Sequence, residues 1–359
     1  MQAFVYTSYP GRVVFGAGRL QSLAEEVERL GARRALVLST PEQRDTAARV
    51  AEALGDRAAG IDDRAAMHVP IEIAVAARER AQALGADCCV AVGGGSTIGL
   101  GKAIALTSGL PIVAVPTTFA GSEMTAIWGL TENGEKKTGR DSAVLPRTVI
   151  YDPAMVRSLP AAVAAVSGMN AIAHCVEALY AVDANPIVSM IAEEGIRALA
   201  ESLPVIVGDG TGLVQADDDA LARAQYGAWL AGTALNGASM ALHHKLCHTL
   251  GGSFDLPHAP THTVVLPYAT AYNRDAAPLA MRRIESALGA FGRGDAAAGL
   301  LALAQALHAP TTLAAIGMPQ EGIARAAEIA ARNQYPNPRP IERAAIEALL
   351  TRAWHGSAP

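Results

Sequence analysis

The feature that most limits how this chain folds is a change of pattern near residue 152. Before it, short apolar runs alternate with stretches of helical spacing. The runs are 34–39 (RALVLS), 88–92 (CCVAV), 111–115 (PIVAV) and 148–151 (TVIY). Between them lie amphipathic stretches such as 41–54 and 71–84, the first with Thr40 as N-cap and Pro41 at N1. Near-continuous apolar strands joined by helices imply a parallel sheet covered on both faces. After Asp152-Pro153 strand-like runs vanish. Alanine-rich stretches at 161–182, 187–207, 217–235, 276–290, 296–308, 321–333 and 341–354 read as helices, with loops at 208–212 and 335–340. The expected architecture is an α/β N-terminal domain with a Rossmann-like parallel sheet over 1–155 and an all-α C-terminal domain over 156–359. A ligand cleft is expected between them.

Composition narrows the function classes. A chain of 359 residues suits about two domains. Charge is 29 basic against 34 acidic residues, net −5, which speaks against nucleic acid or an anionic membrane as the main partner. No apolar run is expected to reach the ~18 residues that span a bilayer. The N-terminal residues lack the basic-then-apolar order of a signal peptide. Cys88, Cys89, Cys175 and Cys247 are not spaced as a metal or disulfide framework, and a cytoplasmic location is expected.

Gly93-Gly94-Gly95-Ser96 follows the run CCVAV directly and opens a helical stretch from Thr97 towards Thr107. Glycines let backbone N–H groups approach an anion, and a helix N-terminus adds favourable partial charge. Ile98 stands where the usual dinucleotide fingerprint has its third glycine, and the loop is not a Walker loop. A bare triplet is also what a tight strand-to-helix turn requires. A second strand end strengthens the nucleotide reading. Pro116-Thr117-Thr118 follows PIVAV, and Gly121-Ser122 comes next, so small hydroxyl residues gather at the carboxyl edge of the sheet. At the end of RALVLS stand Ser39 and Thr40, with Arg44 nearby, instead of an acid that would select the ribose 2′-hydroxyl. Both NADH and NADPH are therefore expected.

The second signal is histidine. Of nine histidines, His243, His244, His248 and His258 fall close together, and His174 lies four residues after Asn170. His244 and His248 share a helix face. Gly251-Gly252 reads as a break before His258. Lone histidines are usually packing or surface residues; this grouping beside glycine breaks points to a site. Cys247 lies at another helical angle and reads as a packed residue.

These pieces resemble the iron-containing alcohol dehydrogenase family, within the dehydroquinate synthase-like fold. The matching segments are GGGSTIGLGK (93–102), PTTFAGSEMT (116–125), Asp152-Pro153, NAIAHCVE (170–177) and HKLCHTLGGSFDLPH (244–258), in the family's order. The resemblance puts His174, His244 and His258 on three metal-ligand positions. The fourth, an aspartate in metal-bearing members, is Asn170 here, and a family aspartate in the glycine loop is Gly99. Both departures resemble one subgroup, metal-independent reductases of the double bond of an unsaturated keto-dicarboxylate formed in aromatic-compound breakdown. The resemblance also implies a homodimer and a lysine that reaches the cofactor, Lys136 or its neighbour Lys137. Val13–Phe15 and Phe4–Tyr6 are candidate strands for exchange or pairing between subunits.

An amide oxygen is a neutral, weaker ligand than a carboxylate, so metal affinity is expected to fall, although a three-histidine zinc site stays open. The vestigial site Asn170, His174, His244 and His258 is then expected to work without a metal. Without an anionic ligand the pocket is expected to be positive or easily protonated, which suits a small dicarboxylate substrate. Hydride addition to the alkene carbon β to the ketone places charge on the ketone oxygen, and a proton donor there replaces a metal. His244 and His248 are the candidate donors, with His174 and His258 in support. Lys245 and Arg339 are candidates to hold carboxylates, and Asn170 and His243 to contact substrate. Glu177 is expected to orient His174. Lys102 is expected to cap carbonyls or pair with a carboxylate.

Overall fold

The computed structural model describes residues 4, 6, 7, 11–132, 135–332 and 335–359, without the side chains of residues 135 and 136. Part of the expected strand Phe4–Tyr6, Asn333 in the loop before Pro340, and the Lys136 side chain lie outside the described residues.

The chain divides into two compact units, Ser8–Leu159 and Pro160–Pro359. In the first, strands β1 (Arg12–Phe15), β2 (Ala35–Leu38), β3 (Ala58–Asp62), β4 (Cys88–Gly93) and β5 (Ile112–Pro116) form one sheet with β8 (Thr148–Tyr151). A separate antiparallel hairpin is made by β6 (Ile127–Glu132) and β7 (Glu135–Arg140). The six-stranded order is β1-β8-β5-β4-β2-β3, and all neighbours are parallel. Helices α1 (Leu23–Arg29), α2 (Arg44–Leu54), α3 (Ile71–Ala83) and α4 (Gly95–Ser108) cover it.

The strand side chains explain the two covered faces. Ala35, Val37, Val90, Val92, Val113 and Val115 pack with Leu23, Val27, Val50 and Leu54 on one side. The intervening Leu36, Leu38 and Cys89 pack with Ala74, Ala77, Leu100 and Ile104 on the other. Period-2 alternation thus buries both faces, as a parallel sheet requires. From β2 the chain moves to the β3 edge; from β4 it moves the opposite way, to β5. The strand order reverses between β2 and β4, so their carboxyl ends flank the crevice where open α/β sheets bind ligands.

Val13–Phe15 pairs with β8 of its own chain, Val13 opposite Val149, as an edge strand of the sheet. Two expectations change here. The stretch 41–54 begins as a 3-10 turn, Pro41–Gln43, before α2, and Thr40 makes no side-chain cap. The strand β3 and the hairpin were not expected at all.

The second unit holds α5 (Ala161–Tyr180), α6 (Pro186–Val207), α7 (Asp218–Gly237), α8 (Leu242–Phe254), α9 (His258–Asn273), α10 (Pro278–Leu288), α11 (Ala296–Ala306), α12 (Gly322–Arg332) and α13 (Arg343–His355). Asn185, Asp217 and Asp295 start α6, α7 and α11 by accepting the backbone N–H three residues on. Small residues let α5, α6 and α7 approach closely: a Cβ at Gly168 would fall 2.5 Å from Leu203, and one at Gly195 2.8 Å from Cys175. Leu246, Leu250, Val264, Val265, Tyr268, Leu349 and Leu350 centre a second cluster joining α8, α9, α12 and α13. By length and composition α5 would cross a membrane, against the expectation that no run is long enough. Yet 83% of its apolar window is buried in the unit, so it is a core helix that carries Asn170, His174 and Glu177.

Candidate active site

The glycine turn sits at the end of β4, on the crevice side of the strand reversal. Gly93 has φ +155°, and a Cβ there would meet Thr97 Oγ1 at 2.4 Å and Gln43 Oε1 at 2.9 Å. A Cβ at Gly94 would meet Thr118 Cγ2 at 2.9 Å. At Gly95 it would meet nothing within 4 Å, so this glycine opens to free space at the start of α4. The helix therefore begins at Gly95, and Ser96 lies in its first turn, two residues earlier than expected. Around the turn stand two buried hydroxyls without partners among the described residues, Ser39 Oγ and Thr97 Oγ1. Gln43 Nε2 donates to Thr117 Oγ1 at 2.8 Å and ties the end of β2 to the end of β5. Gln43 was not among the expected site residues, because a single amide in a short turn carries no motif. This cradle fits a nucleotide pyrophosphate: unhindered backbone, a helix N-terminus and spare hydroxyls.

Lys102 does what the capping reading expects. Its buried Nζ donates to Ser122 O at 2.7 Å, Ile127 O at 2.8 Å, Thr125 Oγ1 at 2.9 Å and Ser122 Oγ at 3.3 Å. Ser122 is thus engaged from α4. Arg44, noted near the end of β2, is ion-paired with Asp63. Lys137 pairs with Glu132 in the hairpin.

In the second unit six imidazoles lie in mutual contact. Ring centroids are 5.1 Å apart for His174–His244, 5.1 Å for His243–His244, 4.8 Å for both His243–His262 and His244–His262, 4.2 Å for His258–His262 and 6.4 Å for His248–His258. The grouping expected from sequence is real, but Gly251-Gly252 is no break. Helix α8 runs through it to Phe254, and α9 starts at His258. His262, one turn after His258, was not among the expected site residues. It is fully buried, and neither ring nitrogen has a partner among the described residues. His243 is also fully buried, its Nε2 2.9 Å from the His262 carbonyl. His248 is exposed and His258 half-buried.

Glu177 corrects another expectation. It orients His244, not His174: Oε2 lies 2.6 Å from His244 Nδ1. The carboxylate can only accept, so Nδ1 carries the proton and Nε2 is left as a buried lone pair. Asn170 Oδ1 and His174 Nδ1 are likewise buried and unpartnered among the described residues.

The electrostatics differ from the positive pocket expected. Burial, then the neighbouring His248, pushes His244 down to about 3. Burial and His244 push His243 down to about 4. His174 and His262 are held well below the usual imidazole range by burial and by their neighbours. Buried, crowded rings repel each other's protons, so His174, His243, His244 and His262 are neutral. Burial pushes the Glu177 carboxyl up, while His243 and three backbone N–H groups pull it back. Cations stand at the margin: Lys245 Nζ lies 5.6 Å from the Tyr335 ring centroid and Arg339 4.2 Å from that of Tyr272. Asn337 and Asn273 exchange amide hydrogen bonds (2.8 and 3.1 Å) that hold the Arg339 segment on α9.

The donor set lacks a free anionic ligand for a divalent cation. The converging group among the described residues is His243, His244 and His262, with ligand atoms within 4.8 Å of one another, not His174, His244 and His258. His243 Nε2 and His244 Nδ1 are engaged. Both Glu177 oxygens are committed to N–H donors, and Asn170 brings no charge. A divalent cation would meet only neutral imidazole and amide donors, with no ligand charge to balance its own.

Residues 10–153 match the iron-containing alcohol dehydrogenase family, and residues 164–354 match the C-terminal part of the Fe-containing alcohol dehydrogenase family. The chain belongs to the iron-containing alcohol dehydrogenase family, and its fold is dehydroquinate synthase-like. Within that class it is similar to the maleylacetate reductase of Burkholderia cepacia, 57% identical over 359 residues and the whole of both chains. It is 56% identical over 356 residues to the maleylacetate reductase of Sphingobium indicum, covering 99% of each. The crystal structure of maleylacetate reductase from Agrobacterium tumefaciens superposes with a TM-score of 0.95 at 51% identity, covering 100% of both chains.

Proposed function

We propose that this oxidoreductase reduces the carbon–carbon double bond of maleylacetate to 3-oxoadipate, with NADH or NADPH and without a required metal, as a step of aromatic-compound breakdown. The observation that carries the reading is full-length similarity to maleylacetate reductases, joined to an amide, Asn170, beside the histidine cluster. The first unit supplies the cofactor site: Gly93, Gly94, Gly95 and Ser96 for the pyrophosphate, Thr117, Thr118 and Ser122 on the next strand end, Ser39 towards the adenosine ribose, and Lys136. When bound, NADH or NADPH supplies the hydride that adds to the alkene carbon β to the ketone.

The second unit supplies the acid and the anion contacts. Lys245 and Arg339 hold the carboxylates and Asn170 completes the substrate contacts, while His243, expected to join them, is fully buried against the His262 carbonyl and backs His244 instead. Because the four buried imidazoles are neutral without a ligand, binding of the dianionic substrate favours uptake of a proton by the site. His244 Nε2 or His248 carries that proton and delivers it to the ketone oxygen as negative charge develops there, and the enol so formed takes a proton on the α carbon and releases the O–H proton to give 3-oxoadipate. His174 and His258 keep these rings in place. The cytoplasm and a homodimer complete the reading. The test follows absorbance at the NADH band on adding maleylacetate, with 3-oxoadipate identified as product. Cofactor binding without oxidation supports a nucleotide sensor instead. Turnover of small alcohols only supports the metal-dependent branch of the family.

A further inference from the structure

Glu177 has no step of its own in the chemistry above, yet it is among the most heavily engaged buried carboxylates of the chain. It projects from α5 to the start of α8, a helix with Ala241 at its N-cap and no side-chain cap. A helix start leaves backbone N–H groups without partners. Here a side chain from another helix takes them: Glu177 accepts from His243 N at 2.8 Å, Ala241 N at 3.1 Å and His244 N at 3.3 Å. The fourth donor is His244 Nδ1 at 2.6 Å. Glu177 is fully buried, so no water competes for these bonds.

We propose that Glu177 is a positioning residue that acts through His244. It holds the ring in the Nδ1–H tautomer, so that Nε2 is the bare nitrogen, and it fixes that nitrogen in space by closing the N-terminus of α8. The inference rests on the proposed reduction for its catalytic consequence, but the tautomer stands on geometry alone. A carboxylate has only acceptor atoms and admits one tautomer of the imidazole facing it. A carboxamide offers a carbonyl and an NH2 and admits either. The aspartate behind a catalytic histidine in hydrolases works in the same way, and its amide variant loses about 10⁴ in kcat through the wrong tautomer.

Two measurements test it. Long-range 15N–1H correlation of the wild-type protein with labelled histidine, with His244 assigned by His244→Gln, shows Nδ1 protonated and Nε2 bare. In Glu177→Gln the same signal gains an Nε2–H component. The kcat of that variant on maleylacetate falls by about 10²-fold or more, while the NADH dissociation constant stays within twofold and KM changes less than kcat. A wild-type spectrum with Nε2 protonated overturns the proposal, and needs no variant. So does a Glu177→Gln enzyme whose kcat stays within threefold of wild type. So does a loss that tracks a fall in melting temperature and in NADH binding, which is a purely structural role. A wild type inactive on maleylacetate overturns the functional reading alone, since the spectrum still decides what Glu177 does to His244.

Discussion

At position 170 a neutral amide stands on the helix face that also carries His174 and Glu177, and its oxygen is buried without a partner among the described residues. Restoring charge there is the sharpest residue-level change. Asn170→Asp is expected to strengthen zinc or iron binding by about 10–100-fold, taking the scale from single changes around metal sites. It is also expected to slow maleylacetate reduction, because a second anion opposes a dianionic substrate. Calorimetric titration with the metal and steady-state rates measure both; unchanged metal affinity contradicts the ligand argument. His244→Ala is expected to lower kcat by about 10²–10⁴-fold, the usual worth of a general acid, with NADH binding unaltered. Near-normal turnover in both His244→Ala and His248→Ala removes the acid assignment. The sequence showed which residues gather but not how they pair. Glu177 follows His174 by three residues, and that spacing suggested His174 as its partner. Its actual partner comes from α8, 67 residues away, and local periodicity holds no record of that contact. His262 escaped notice because a histidine one turn into a helix looks like packing until its two unpartnered nitrogens are seen.

Elements were legible where burial is strong on one period. The apolar runs became β2, β4, β5 and β8 within a residue or two of their expected ends. The edge strand β3 (AAGID) was missed because alanine and glycine carry little strand preference, and the hairpin because its residues are mostly polar. Gly251 and Gly252 misled in the other direction. Each glycine in a helix interior costs about 1 kcal/mol, but Leu246, Cys247 and Leu250 on the buried side of α8 outweigh that cost. Two tests belong at this scale. Gly95→Ala introduces a Cβ that touches no protein atom within 4 Å. The variant is expected to keep the wild-type melting temperature and to bind NADH at least about tenfold more weakly, because the methyl group enters the pyrophosphate's place. An unchanged dissociation constant by fluorescence titration moves the phosphate site elsewhere. Lys102→Met leaves Ser122 O and Ile127 O without their donor, and is expected to destabilise the protein by about 1–3 kcal/mol in thermal or denaturant unfolding.

For the whole molecule, the change of pattern after Asp152 was enough to foresee an α/β unit followed by a helical one. What it could not foresee was the state of the histidine cluster, because that depends on how many rings share one buried volume. Sequence alone suggested a positive or easily protonated pocket; burial and crowding hold His243 and His244 neutral. Under the proposed function this cluster, lacking a free carboxylate, reduces a dianionic substrate with no metal. Metal content and maleylacetate-dependent NADH oxidation, measured on the same protein before and after chelation, test it most directly. The account predicts an unchanged rate with iron and zinc far below one ion per chain. Loss of turnover on chelation, with recovery on adding iron or zinc, contradicts it.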